Sequence, residues 1–154
     1  MKKILMIVVM ALLCLMSAEA VELDSVGRPR DYVQTIVGRS QKVTDALKIT
    51  GTAEGEQVLN IVANRYFTLN DIYAERDSLK KLASALQGAE KQKAMTVAEN
   101  QKDMKLYRSH FGFIAQLSLY LNDSQIETVK DVLTYTVVPV SFLALCCMII
   151  ILQT

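Results

Sequence analysis

Asn70, Arg76 and Asp77 fall within two helical turns of one another in the run LNDIYAERDSL, so that a helix there lets Asn70 and Asp77 point the same way. His110 comes one predicted helix later, and Lys130, Asp131 and Tyr135 complete the set towards the C-terminus. Two carboxylates about 5 to 10 Å apart across a cleft can act as acid and base on a glycosidic bond, which makes Asp77 and Asp131 catalytic candidates if their helices approach. His110, placed between Tyr107 and Phe113 on an apolar face, is the third catalytic candidate, as a general base. Asn70, Arg76, Lys130 and Tyr135 are the candidates for binding. A plainer reading stands beside this one. Arg76 with Asp131, or Asp77 with Lys130, would make interhelical ion pairs, and His110 would be a packed histidine bonded to a carbonyl.

Other chemistries lack their residues. The chain has neither a phosphate-binding loop nor a nucleophile motif. His110 is its only histidine and no cysteine cluster has ligand spacing, so neither metal nor cofactor is expected. Cys146 and Cys147 are adjacent, and a bridge between neighbours is strained. No basic stripe with interleaved aromatics appears, which argues against nucleic acid as a partner.

The N-terminal run MKKILMIVVMALLCLMSAEA has two lysines, an apolar stretch from Ile4 to Met16, and small residues at Ala18 and Ala20 on either side of Glu19. These are the three parts of a signal peptide, predicting export to the periplasm or beyond with cleavage after Ala20. The apolar stretch is short of the roughly 20 residues a membrane span needs. A lipid-bearing Cys14 would want a small residue before it, where Leu13 stands. Removal of residues 1–20 leaves fifteen basic and fifteen acidic side chains, so no electrostatic partner is implied.

Residues 21–30 read as a leader of low regularity, with Gly27 and Pro29 as breakers. From Asp31, the spacing of Val33, Ile36, Val37, Val43 and Leu47 predicts a helix with one apolar face, and Pro29 and Asp31 suit its first turn. Thr52 opens an imperfect capping box, since Gly55 stands where Glu or Gln belongs. The helix after it carries Val58, Ile61, Val62, Leu69, Ile72, Tyr73, Leu79, Leu82 and Leu86 at helical period, with Arg65 and Arg76 on or beside the stripe. Gly88 marks a further break. Residues 89–103 are almost wholly polar and predicted to be solvated, whereas from Met104 onward Leu106, Tyr107, His110, Phe113, Ile114, Leu117 and Leu121 share a face. Gly112 within that helix costs about 1 kcal/mol of helix stability. Asn122 or Asp123 caps a last helix with Ile126, Val129, Val132 and Leu133 inward. The expected fold class is therefore all-α, a small bundle of about four helices followed by an apolar C-terminal tail.

The runs YVQTIVGRSQKVTDAL, LNDIYAERDSL and LSLYLNDSQIETVKDVLTYTVVPVSF resemble the domain of unknown function 3826 family of exported bacterial proteins, notably in Bacteroidetes. Its most specific part is the Val-Lys-Asp, Thr-Tyr, Val-Pro-Val order between Val129 and Val140, and the quoted runs place the domain over residues 31–142. The resemblance implies no defined activity. It implies the company of polysaccharide-degrading bacteria, and a further charged helical portion after the motif ending at Phe142.

That portion is replaced here by an apolar tail, residues 143–154. No charged side chain occurs from Val132 to Thr154, a run that composition alone would produce on the order of once in a thousand. An out-of-frame or degenerate end, a membrane-contacting or interaction segment bounded by Phe142 and Leu152, and a buried helix are the three readings. Two function classes follow for the whole chain. One is a non-enzymatic exported binding or accessory domain with a carbohydrate or protein partner; the other is an enzyme or accessory factor in polysaccharide processing. A periplasmic protein anchored by its C-terminus is the third alternative.

Overall fold

Pro29 carries the carbonyl that accepts the first helical N–H, from Val33 at 3.0 Å, and Asp31 lies in the first turn, where the helix dipole favours negative charge. The helix so started, α1 (Arg30–Leu47), ends at Lys48, whose φ of 59° turns the chain left-handed while the N–H of Ile49 reaches back to Thr44 O at 3.1 Å. Thr52 then caps α2 (Ala53–Ser84), its Oγ1 accepting from Gly55 N–H at 2.9 Å. A Cβ at position 55 would lie 2.1 Å from the Ile49 carbonyl oxygen. The box is incomplete because the preceding loop crosses too close for any side chain there. A short turn leads to α3 (Gly88–Leu117), and α4 (Asp123–Thr134) begins with a complete reciprocal box, Asn122 Oδ1 accepting from Gln125 N–H and Gln125 Oε1 from Asn122 N–H, each at 3.0 Å.

This computed structural model describes residues 20–134, which hold these four helices and no strand. The fold is all-α, as the periodicity predicts. Residues 1–19 of the signal segment, Tyr135, and the apolar tail with Phe142, Cys146, Cys147 and Leu152 lie outside the described residues. Among the described residues no helix is long and apolar enough to cross a membrane.

Helix lengths decide the shape of the core. At 1.5 Å per residue, α2 and α3 run about 48 and 45 Å, against about 27 Å for α1 and 18 Å for α4. The α2–α3 hairpin is therefore longer than the helices available to cover it. Around its base, Val43 of α1, Val58, Ile61 and Val62 of α2, Phe113 and Leu117 of α3, and Ile126 and Val129 of α4 form one buried cluster, with Leu121 from the loop before α4. Beside it, Ile36, Ala63 and Phe67 form a smaller one. Beyond Ile72 the hairpin becomes a two-helix arm.

The arm corrects the predicted stripes. Tyr73, Leu82 and Leu86 are exposed, Leu82 to 71%, because among the described residues only α3 faces that length of α2. On α3, Met104, Tyr107 and His110 also face outward, Tyr107 to 68%, although Phe113, Leu117 and Leu121 are buried as read. Ala63, Phe67 and Ala83 are buried without belonging to the predicted α2 stripe. Residues 89–103 behave as their polarity predicts, with Ala98 alone fully buried. Ion pairs cross the arm instead of apolar layers: Lys80 meets Glu99 at 2.8 Å, Lys102 joins the same carboxylate, and Lys105 pairs with Glu75.

The leader is more ordered than its sequence suggests. Residues 21–24 lie along α2, with Val21 packed on the larger cluster and Leu23 on the smaller, while Glu22 and Asp24 are exposed. Gly27, at φ 74°, turns the chain so that Arg28 clasps Asp71 through two hydrogen bonds of 2.9 and 2.7 Å and lies over the Phe67 ring at 4.6 Å.

Candidate functional site

Arg65 comes from the inner side of α2, three residues after Val62 and two before Phe67, and its stem is half-buried there. Its guanidinium lies over the Phe113 ring at 5.6 Å and donates to Ser109 Oγ at 2.5 Å, while that hydroxyl donates to Leu106 O at 3.0 Å. No carboxylate pairs with Arg65 among the described residues. Burial pushes its pKa below the usual arginine value, yet a guanidinium stays charged at any physiological pH. Among the described residues, the base of the hairpin thus holds a positive charge answered by a hydroxyl and a ring face and by no carboxylate. An unpaired charge removed from water is costly, so the arrangement favours an anion.

Space for one exists on both sides. A cavity of about 250 Å³ is bounded by Arg65, Tyr66, Leu69, His110, Lys130 and Leu133, where α2, α3 and α4 meet, and its walls are mainly apolar. A second, of about 230 Å³, opens towards Asn64, Thr68, Ser109, Gly112 and Gln116, and its walls mix amides and hydroxyls with the apolar Ile61 and Phe113. Gly112, unfavourable for helix propensity, lines this second cavity, and a Cβ there would meet nothing within 4 Å. Its missing side chain leaves the cleft open.

The sequence candidates divide on this geometry. His110 and Lys130 come together at the first cavity, and Thr134, the residue before Tyr135, lines it too. Tyr135 itself lies outside the described residues. His110 is exposed and stands edge-on to Phe111, with ring centres 5.8 Å apart, so it is not the packed, carbonyl-bonded histidine of the plainer reading. Lys130 bonds Glu127 of its own helix at 2.6 Å, and Arg76 bonds its neighbour Asp77 at 2.6 Å. The ion pairs expected between helices, Arg76–Asp131 and Asp77–Lys130, give way to these local ones. Asp77 lies eight residues past Leu69, about 12 Å further along α2, and neither it nor the exposed Asp131 borders the cavity. Asn70 is exposed beside Asp71, whose carboxylate it helps to hold. Among the described residues no group of three His, Cys, Asp or Glu side chains could hold a metal ion.

Ser109, Phe113 and the full weight of Arg65 were missing from the sequence candidates. A signal for Arg65 was present: it sits on an apolar stripe, and the positions three and four residues away, Ile61, Val62, Thr68 and Leu69, offer it no acid.

A family model described as "Protein of unknown function (DUF3826)" matches residues 33–154. The chain belongs to the DUF3826 family. The match takes in nearly all of α1 and the whole of α2, α3 and α4, hence every residue bordering the two cavities, and it continues through residues 143–154, beyond the quoted runs that end at Phe142. No curated protein matches the chain. For this DUF3826 chain, the function has to be read from the Arg65 cleft itself.

Proposed function

We propose that the chain is an exported helical protein that acts by binding, and that its ligand presents a carboxylate beside an apolar or ring-shaped face. The observation that carries this reading is Arg65, a half-buried guanidinium held by Ser109 and Phe113 with no acidic partner among the described residues, set between two open cavities. A carboxylate entering there gains hydrogen bonds to a fixed, planar donor and relieves an uncompensated charge. His110 and Lys130 at the rim add further donors. Export is supported by the lysine-led apolar stretch and the Ala18, Ala20 pair at the N-terminus. A non-enzymatic role is supported by the place of Asp77 and Asp131 off the cleft, whose walls among the described residues carry no pair of facing acids of the kind glycoside hydrolysis uses.

A place beside polysaccharide processing draws support from the second cavity, whose amides and hydroxyls suit a hydroxyl-rich ligand. A uronic acid unit joins both demands, its carboxylate at Arg65 and its hydroxyls towards Thr68 and Gln116.

Calorimetric titration with short uronic acid oligosaccharides and their neutral counterparts tests this, on the parent chain and on Arg65→Met. The acidic sugars bind and the neutral ones do not, and the substitution weakens binding by about tenfold or more, as expected for a charged hydrogen bond. The variant's thermal midpoint stays level or rises, because the substitution removes a costly charge. Equal binding of acidic and neutral sugars, or full affinity in Arg65→Met, overturns the proposal.

A further inference from the structure

Residues 21–24 are held on α2 by their main chain. Gln57 Oε1 accepts from Val21 N–H at 2.6 Å, and Asn60 Nδ2 donates to Val21 O at 2.9 Å. Asn64 completes the ladder, its Nδ2 donating to Glu22 O at 2.7 Å and its Oδ1 accepting from Asp24 N–H at 2.8 Å. Gln57, Asn60 and Asn64 recur at helical spacing on one face of α2. The ladder fixes register, because a slip of one residue would exchange inward Val21 and Leu23 for Glu22 and Asp24. Position 21 is therefore specified along the helix, and so is its nitrogen.

Ala20, the residue before that nitrogen, and Gln57, which accepts its N–H, both border a cavity of about 450 Å³ whose other walls are Ala53, Glu54, Leu119 and Tyr120. Gln57 offers it a carbonyl oxygen, and the Glu54 carboxylate has no ion-pair partner among the described residues. Gln57 and Glu54, one turn apart on α2, thus each bring an acceptor to this cavity, and one of them is charged. We propose that this cavity is a binding site for the chain's own α-ammonium, the group that cleavage after Ala20 creates on Val21.

The inference rests on that cleavage. Hydrolysis of the Ala20–Val21 peptide bond adds water, leaves a carboxylate on Ala20, which departs, and leaves an ammonium on Val21. The uncut amide has one N–H, and Gln57 takes it. The ammonium has three donors. One stays on Gln57, and the others meet Glu54 and water in the space that Ala20 leaves. A terminus produced one residue earlier or later would miss this pocket, since the Asn60 and Asn64 bonds hold the register. The site therefore recognises one mature end of the chain and no other.

The test uses the exported protein recovered from its host. Intact mass gives its first residue, and acylation with an amine-reactive acetyl ester gives the reactivity of its α-amine, against the free peptide VELDSVGR. A chain beginning at Val21 reacts at this amine about tenfold more slowly than the peptide, the protection expected of a charged hydrogen bond. Glu54→Gln, an exposed position that leaves the fold intact, and Gln57→Ala both return the rate towards the peptide's. A chain that begins at Val21 yet reacts like the peptide, or is unchanged by Glu54→Gln, overturns this proposal and leaves the export reading standing. A chain that begins elsewhere overturns this proposal together with cleavage after Ala20.

Discussion

Gly55 and Asp71 show what single side chains decide in this molecule. At Gly55 the constraint is steric, because the Ile49 carbonyl occupies the place of a Cβ at 2.1 Å. Gly55→Ala must push the loop off the helix start and strain the Thr52 cap, so a loss of about 2 to 4 kcal/mol is expected in urea unfolding. A loss no greater than at a typical helical glycine site would mean that the loop yields freely. At Asp71 the constraint is electrostatic. The paired hydrogen bonds from Arg28 hold its carboxyl below the usual carboxylate range. The folded state thus releases this proton more readily than the unfolded chain, and the clasp contributes stability above about pH 4, lost as pH falls through the lower folded value. Glu99 acts in the same direction, held down to about 2 by Lys102 and Lys80. Asp71→Asn should accordingly flatten the fall of the thermal midpoint between about pH 5 and pH 3. Parallel acid profiles for the two chains would show that the clasp does not reach the folding equilibrium.

At the level of elements, the ends of helices follow their local sequence more closely than their faces do. Asn122 and Gln125 satisfy each other's backbone N–H groups, and Asn122→Ala should cost about 1 kcal/mol, read as a lowered urea midpoint at unchanged slope. A neutral result would mean that packing of Ile126 and Val129 alone holds the start of α4. The leader is the contrary case. Its alternation covers four residues, too few to distinguish from chance, and the amides that read its backbone lie 36 to 42 residues away on α2. Only the folded chain brings them together.

The described residues form a four-helix base carrying a two-helix arm, and this division sets where their stability resides. Phe67 is fully buried between α1, α2 and the leader, so Phe67→Ala should cost about 3 to 5 kcal/mol. Leu82 occupies an equally apolar position in the sequence but stands on the arm at 71% exposure, and Leu82→Ala should cost less than about 0.5 kcal/mol. Urea unfolding of the two variants separates these cases, and comparable losses would show that the arm is covered by something else. Amide exchange should follow the same division, with α2 slow up to Ile72 and faster beyond it.

Local chemistry in the sequence determined the all-α class, the four helices, their starts at Pro29, Thr52 and Asn122, the solvated character of residues 89–103, and family membership, because propensity, capping and apolar period act over a few residues. Packing determined the rest. A helical period puts Leu82 and Ile72 on one stripe, but Ile72 is buried in the seam with α3 near Ala98 while Leu82 is exposed, a difference that only packing decides. The same holds for the site. His110 and Lys130 were visible as polar residues on apolar helices, yet their meeting beside Arg65 depends on how α4 returns to the base, and Asp77 falls on the arm, off that cavity. The charge on Arg65 belonged to the sequence; that no acid among the described residues meets it across the bundle belongs to the tertiary structure, since only packing decides which helix faces which.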